Sequence, residues 1–313
     1  MQALIHFLAL TFPAKSIPNR KSPDHLREIR RLAIQKSVKP AATLAKIGAK
    51  RLYLISMTDK IDFNRDGRVE RFLVVFVTFC IVLVNYSAAN GYINQRTPQQ
   101  ISDKYPLLLT PAGYAFSIWG LIYIGLIVFS FYQALPSQAE NARFKRIRAL
   151  YIINCAANCA WIFLWLHEQI WASVTAIFVL LATLVLINSR LQNKRDAAET
   201  WAARVPFGLY FGWATVATVL NFTLALDYSG VETSSASARI LASILVAALT
   251  ILGVVIRLKL STAAYALAIA WALTAIAVKH GGETALVFCA AFGVIALLIA
   301  AIFPLSQTAK SNV

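Results

Sequence analysis

Residues 149–188 read ALYIINCAANCAWIFLWLHEQIWASVTAIFVLLATLVLIN. Two apolar runs, 149–166 and 170–188, flank a polar break of three residues, His167-Glu168-Gln169. At about 1.5 Å rise per residue, each run as a helix reaches roughly 27 Å, close to the ~30 Å hydrocarbon core of a bilayer. In lipid every backbone N–H and C=O must be satisfied inside the element, which excludes open sheet and irregular chain there. The stretch therefore reads as a membrane-spanning helical hairpin with a tight return.

Runs of the same kind lie on both sides. Residues 72–88 and 112–132 precede the hairpin, and 205–226, 239–256, 261–278 and 284–303 follow it. The expected fold class is an all-α integral membrane protein, a polytopic bundle of about eight transmembrane helices. Composition agrees: 14% of the 313 residues are charged and 58% hydrophobic, whereas a soluble domain carries about 25% charged residues.

Charge placement tests the count. With the N-terminus inside, the inner segments 1–71, 133–148, 189–204, 257–260 and the C-terminal tail hold 26 of the 30 Lys and Arg. The outer segments, 89–111, 167–169, 227–239 and 279–283, hold 4. A missing or extra span would scramble that alternation, so eight spans with both ends on the inner side are expected. The net charge of +16 thus describes a basic tail and basic loops. A nucleic-acid-binding surface would interleave basic residues with solvent-facing aromatics, and here the aromatics lie in apolar runs. Anionic lipid headgroups are the expected partner of the basic segment.

Residues 1–71 carry 15 of those Lys and Arg, and His25 to Lys39 has the pattern of a basic amphipathic surface helix. Three readings of 1–56 stay open: a surface anchor, an Arg-rich organelle transit peptide, or an extension upstream of a start at Met57. An organelle membrane follows if the transit reading holds. Asp62, Asn64, Asp66 and Gly67 imitate the start of a calcium loop, but its twelfth position, a bidentate Glu in such loops, is Leu73. A polar helix cap explains these residues better. Cys80, Cys155, Cys159 and Cys289 all sit in apolar runs and read as packing thiols.

Polar groups inside the spans need partners. Asn85, Asn154, Asn158, Asn188 and Asn221 are expected to face the bundle interior. Asn154, Asn158 and Trp161 fall at i, i+4 and i+7 on the third span, with Trp165 continuing the stripe. Trp213, Ala217, Leu220 and Asn221 form a comparable stripe on the fifth. The second span opens at Pro111 and carries Tyr114, Phe116, Trp119 and Tyr123. Trp171 and Trp201 beside loops fit an interfacial belt. Trp119, Trp161 and Trp213 lie deeper, where they serve either interior packing or the wall of an aromatic pocket.

At these residues the chain resembles the tryptophan-rich sensory protein/translocator protein family (TspO/MBR), a five-helix membrane fold. Thr110-Pro-Ala-Gly-Tyr-Ala-Phe-Ser-Ile-Trp-Gly-Leu-Ile-Tyr123 looks like that family's second-helix motif, with Pro111, Trp119 and Tyr123 aligned and Tyr114 and Phe116 each displaced by one position. Asn158-Cys-Ala-Trp161 matches its L-N-x-x-W element, and Trp213-x-x-x-Ala217-Thr218-x-Leu220-Asn221-Phe222 its W-x-x-x-A-T-x-L-N-Y. The likeness covers about residues 72–226. It divides the chain into a basic segment 1–71, a five-helix bundle 72–226, three additional helices 227–304 and a tail 305–313.

The resemblance implies a cavity within the five helices, roofed by the loop Gly91 to Thr110, that takes porphyrin, haem or another flat apolar ligand. Trp119, Trp161, Trp165 and Trp213 would stack on it, with Tyr123, Asn158, Ala217 and Asn221 beside them, and Pro111, Tyr114 and Phe116 forming the motif under the roof. No His or Cys is well placed to ligate haem iron, so a metal-free porphyrin, or haem held without strong ligation, fits more easily. A homodimer is a further expectation. Two other classes compete: a facilitative transporter using the extra helices, and a membrane enzyme that degrades bound porphyrin. The spans hold no ionisable residue of the kind that couples transport to ions. The chain has no paired carboxylate, nucleophile motif or metal cluster. Enzyme activity is thus the less favoured class, and replacing Trp271 on the seventh span, outside the resemblance, is expected to change ligand affinity little.

Overall fold

The computed structural model describes residues 67–303 apart from 106, 193–195, 232–234 and 261. The readings of residues 1–66, the calcium-like loop among them, and of the tail after 303 lie outside the described residues. Each of the eight apolar runs is a helix. In chain order these are α1 (Arg68–Ala89), α3 (Ile118–Ala134), α4 (Ala142–Leu166), α5 (Ile170–Arg190), α6 (Val205–Tyr228), α7 (Ser235–Leu260), α8 (Ala263–Lys279) and α9 (Thr284–Ile302). A short additional helix, α2 (Pro98–Lys104), lies between the first two. Seven are at least 18 residues long and apolar enough to span a membrane, α3 counting from its lead-in at Gly113. The eighth, α8, has 17 residues.

Helix ends depart from the apolar boundaries where local chemistry extends them. α4 begins seven residues before its apolar run, because Asn141 caps it by accepting from the Arg143 and Phe144 amides. α6 is preceded by the turn Ala197–Glu199 and a π-helical stretch Thr200–Arg204. α3 is preceded by a 3₁₀ turn, Gly113–Ser117.

The first five spans close into a ring: α1 packs on α3, α3 on α6, α6 on α5, α5 on α4, and α4 back on α1. α8 packs on the outside of α6 and carries α7 and α9 with it. α6 therefore serves both groups, and 67% of its most apolar window is buried against 28% for α1, α7 and α9. The rims of the peripheral helices present Phe72, Phe79, Phe288 and Phe292 outward, each at least 68% exposed. Apolar surface on that scale is expected only where lipid covers it.

Lipid supplies no hydrophobic drive between helices, so close packing must hold them. The α6–α8 contact shows how. Gly208 and Gly212 are spaced as G-x-x-x-G, opposite Ala264 and Ala268. A Cβ on Gly212 would stand 2.4 Å from the Tyr265 carbonyl oxygen, and one on Gly208 would stand 2.3 Å from Thr262 Oγ1. Thr215 and Tyr265 share a 3.1 Å hydrogen bond across the same seam.

The two sets of loops segregate to opposite ends. At one end Arg96, Lys104 and Tyr105 meet Glu168, Lys279 meets Asp103, Trp171 donates to Ser229, and Arg239 pairs with Glu283. At the other, Arg143 pairs with Glu199, Arg148 with Glu70, and Arg204 and Arg257 donate to the carbonyls of Leu260 and Ala301. Trp171 and Trp201 are both largely exposed beside these ends.

Candidate functional site: an aromatic cleft beneath a latched lid

The connection from α1 to α3 is an ordered lid. Thr97 and Gln100 form a reciprocal capping box, with Pro98 in the first turn, and this sets α2 across the end of the bundle. Asn94 and Gln95 both have positive φ, and the Asn94 amide donates to Leu166 O at 2.8 Å. Trp165 Nε1 donates to Pro98 O at 3.2 Å. The α4–α5 return contributes one carboxylate, Glu168, itself at φ 54°, which accepts from Arg96, Lys104 and the Tyr105 hydroxyl. Hydrogen bonds from Lys104 foremost hold the Glu168 carboxyl below the usual range, against a smaller desolvation cost. Burial, then the bond to Glu168, pushes the Tyr105 phenol up to about 12. On the far side Lys279 pairs with Asp103, and His280 Nε2 lies 3.1 Å from Thr110 O. Partial burial lowers the His280 pKa.

Under the lid, four tryptophans from three helices gather. Trp119 on α3 is the hub: it stacks on Tyr123 at 5.5 Å, tilts against Trp161 at 6.0 Å, and meets Tyr210 and Trp213 edge-on at 5.7 and 6.3 Å. Trp161 stacks on Trp165 at 6.1 Å, and Phe116 meets Trp213 edge-on at 5.9 Å. Trp119, Trp161, Trp165, Trp213, Ala217, Asn221, Pro111 and Phe116 line one cleft, joined by Ser102 from the lid and by Val216 and Leu220. Its free volume is about 30 Å³, far below the roughly 300–1,000 Å³ of a small-molecule site. The aromatic faces are closed on one another.

Three expected residues lie elsewhere. Tyr123 faces a separate groove between α1 and α3. Tyr114 turns outward and packs edge-on against Trp271 at 5.3 Å. Asn158 sits one layer away, accepting from the Asn85 amide at 2.7 Å and donating to the Tyr210 hydroxyl at 2.8 Å. Asn221 lines the cleft, yet its amide is engaged inside the protein, accepting from Trp161 Nε1 at 3.0 Å and donating to Ser173 Oγ at 3.0 Å. Both amides tie helices together. Trp271 of α8 lines neither the cleft nor the groove, and its indole donates to Ala115 O at 3.0 Å, which joins α8 to the motif that opens α3.

Trp213 differs from Trp161 and Trp165, whose indoles donate to Asn221 and to Pro98 O. Like Ser102 Oγ in the same cleft, its Nε1 is buried with no hydrogen-bond partner among the described residues, an omission that ordinarily costs about 1–3 kcal/mol. A flat ring with an acceptor at its edge fits this donor set once the aromatic faces separate. Iron ligation does not fit: no His or Cys lines the cleft, and no cluster of three His, Cys, Asp or Glu could hold a metal among the described residues.

Sequence reasoning missed Ser102, Glu168 as a latch, Tyr210 and the groove. Lys, Arg and Glu on these loops gave only a weak signal for the latch, because pairing across 64 and 72 residues has no local pattern. G-x-x-x-G at Gly208 and Gly212 was a usable signal for the α8 contact.

Comparison with curated proteins and with solved structures gives no match. The sequence does match a family described as TSPO-like protein, over residues 71–303. That stretch runs from the first turn of α1 to the end of α9. It takes in α7–α9, which the motif resemblance over 72–226 left outside, and the α6–α8 seam gives the physical reason they belong to one body. With the match covering all eight long apolar helices and the lid, this chain belongs to the TSPO-like protein family.

Proposed function

We propose that the protein is a membrane receptor or carrier for a flat, largely apolar ligand of the porphyrin class. The ligand is held between the tryptophan faces beneath the lid. The observation that carries the reading is the set Trp119, Trp161, Trp165 and Trp213 around one cleft, with the Trp213 N–H left as an open donor. Aromatic faces suit a planar π-system, and a buried donor suits a carboxylate or carbonyl at its rim. The cleft opens by separation of those faces, because its present volume of about 30 Å³ is far too small for a flat macrocycle. Both chain ends lie on the inner side in this proposal, with the lid outside and the basic N-terminal segment on anionic lipid.

Titration of the purified protein with protoporphyrin IX, followed by tryptophan quenching, tests it. Each of Trp119→Leu, Trp161→Leu and Trp213→Leu is expected to weaken binding by roughly 1–3 kcal/mol, the scale of one aromatic stacking contact. Trp201→Leu is the control, since that side chain is 70% exposed and outside the cleft. Unchanged binding in the triple variant, with the fold intact, leaves these tryptophans as packing alone.

A further inference from the structure

The cleft has a neighbour. Between α1 and α3 lies a groove of about 530 Å³, lined by Val82, Asn85 and Tyr86 of α1, by Thr97 and Gln99 under the lid, and by the α3 face from Phe116 to Ile127. This volume is within the range of a small-molecule site. Its mouth is formed by Tyr86, Ile124 and Ile127, 60%, 62% and 36% exposed on the outer faces of their helices. Those faces meet lipid, so the groove opens sideways into the bilayer. It is graded in polarity. Thr97, Gln99 and Ser117 lie at the lid end and isoleucines toward the middle of the helix, the order in which an amphiphile with polar groups at one edge lies in a leaflet.

Groove and cleft share two residues, Phe116 and Trp119. Trp119 is half-buried and lines both spaces, stacked on Tyr123 of the groove wall and in contact with Trp161 and Trp213 of the cleft. Only Phe116 and Trp119 thus stand between about 530 Å³ of open groove and the closed cleft, and Trp119 is the larger of the two. Next to it the wall is bare: a Cβ added at Gly120 would meet nothing within 4 Å. The opposite end of the cleft is shut by the lid, held through Glu168 on one side and Lys279 on the other.

We infer that the α1–α3 groove is the lateral passage by which the flat ligand reaches the cleft from the lid-side leaflet, with Trp119 as the swinging partition. This inference rests on the porphyrin-class reading above. The ligand partitions into the leaflet, seats in the groove on the Tyr123–Trp119 face, and displaces Trp119 to stack among the remaining tryptophans. The lid stays closed throughout.

The test is kinetic. Protein in lipid nanodiscs is mixed by stopped flow with vesicles preloaded with protoporphyrin IX, and tryptophan quenching is followed. Gly120→Phe fills the groove at a position with free space around it, and Ile124→Trp narrows the same mouth from an exposed position as a second variant. Each is expected to slow quenching at least tenfold while reaching the wild-type amplitude. Glu168→Gln, which weakens the lid, is expected to leave the rate within twofold. Wild-type rates in both groove variants, or a tenfold acceleration in Glu168→Gln, would overturn the lateral passage and place the route through the lid. If the wild-type protein never quenches, the ligand reading fails and the passage with it, whereas a quenching wild type with unaffected groove variants removes the passage alone.

Discussion

Asn158 shows what a polar residue does in this bundle. Its amide joins α1 through Asn85 and α6 through Tyr210, fixing three helices around one side chain. An interhelical hydrogen bond in lipid is worth only about 0.6 kcal/mol on average, so the network selects an arrangement more than it strengthens one. Removal is costlier than the bonds themselves, since the partners stay buried and unpaired. Asn158→Ala is expected to lower stability by about 1–3 kcal/mol, read as a reduced thermal midpoint in detergent, with the Tyr210→Phe, Asn158→Ala double variant costing less than the sum of the two. Glu168 governs the lid. Its folded carboxyl titrates below the ordinary range, so its contribution is complete above the unfolded value of about 4.3 and is lost as pH falls through the folded one. Limited proteolysis between Asn90 and Lys104 is therefore expected to rise only below about pH 4 in the wild type. In Glu168→Gln it is expected to be fast at every pH, and acid-independent cleavage of the wild type would remove Glu168 as the latch.

At the level of elements, the decisive contact is α6 with α8. The helices approach until a glycine carbon at position 212 leaves no room for a Cβ, because the facing atom is a backbone oxygen at 2.4 Å. A backbone atom cannot rotate away as a side-chain tip does. Gly212→Leu is expected to push α8 off α6 and cost about 1–3 kcal/mol, the usual price of overpacking. Trp271 fluorescence reports the separation, since its indole bond to Ala115 O spans the same pair of layers. Stability and Trp271 emission equal to wild type would show that the seam tolerates a larger gap. By contrast Gly120→Ala, with nothing within 4 Å of the new Cβ, is expected to be neutral or slightly stabilising through helix propensity.

For the whole molecule the expectation concerns topology. The loops divide into two ends that make contacts only among themselves in the pairs described above. The basic excess lies at the end bearing Arg143, Arg148, Arg204 and Arg257. A reporter fused after Gln138 is expected to read as inner and one after Gly281 as outer. An inner signal at Gly281 would require a reversed or miscounted bundle. Deleting residues 1–56 is expected to leave insertion and porphyrin quenching unchanged, because the family match begins at residue 71. Loss of insertion would make that segment structural.

The positions of the long apolar helices were legible from the chain alone, because an apolar run is a sum over about 20 adjacent residues and needs no distant partner. The same holds for the Asn154-Asn158-Trp161 stripe, which follows from the 3.6-residue period, and for the three motifs that carried the family likeness. Tertiary structure alone decided which faces meet. Tyr114 and Trp119 are five residues apart on one motif, yet one packs on α8 and the other anchors the cleft. The closure of that cleft and the latched lid depend on contacts such as Trp119–Trp161, Trp161–Asn221 and Asp103–Lys279, which are 42, 60 and 176 residues apart in sequence. Each such contact is worth little by itself, and only the assembled bundle makes them mutually consistent, so no local pattern of residues could encode them.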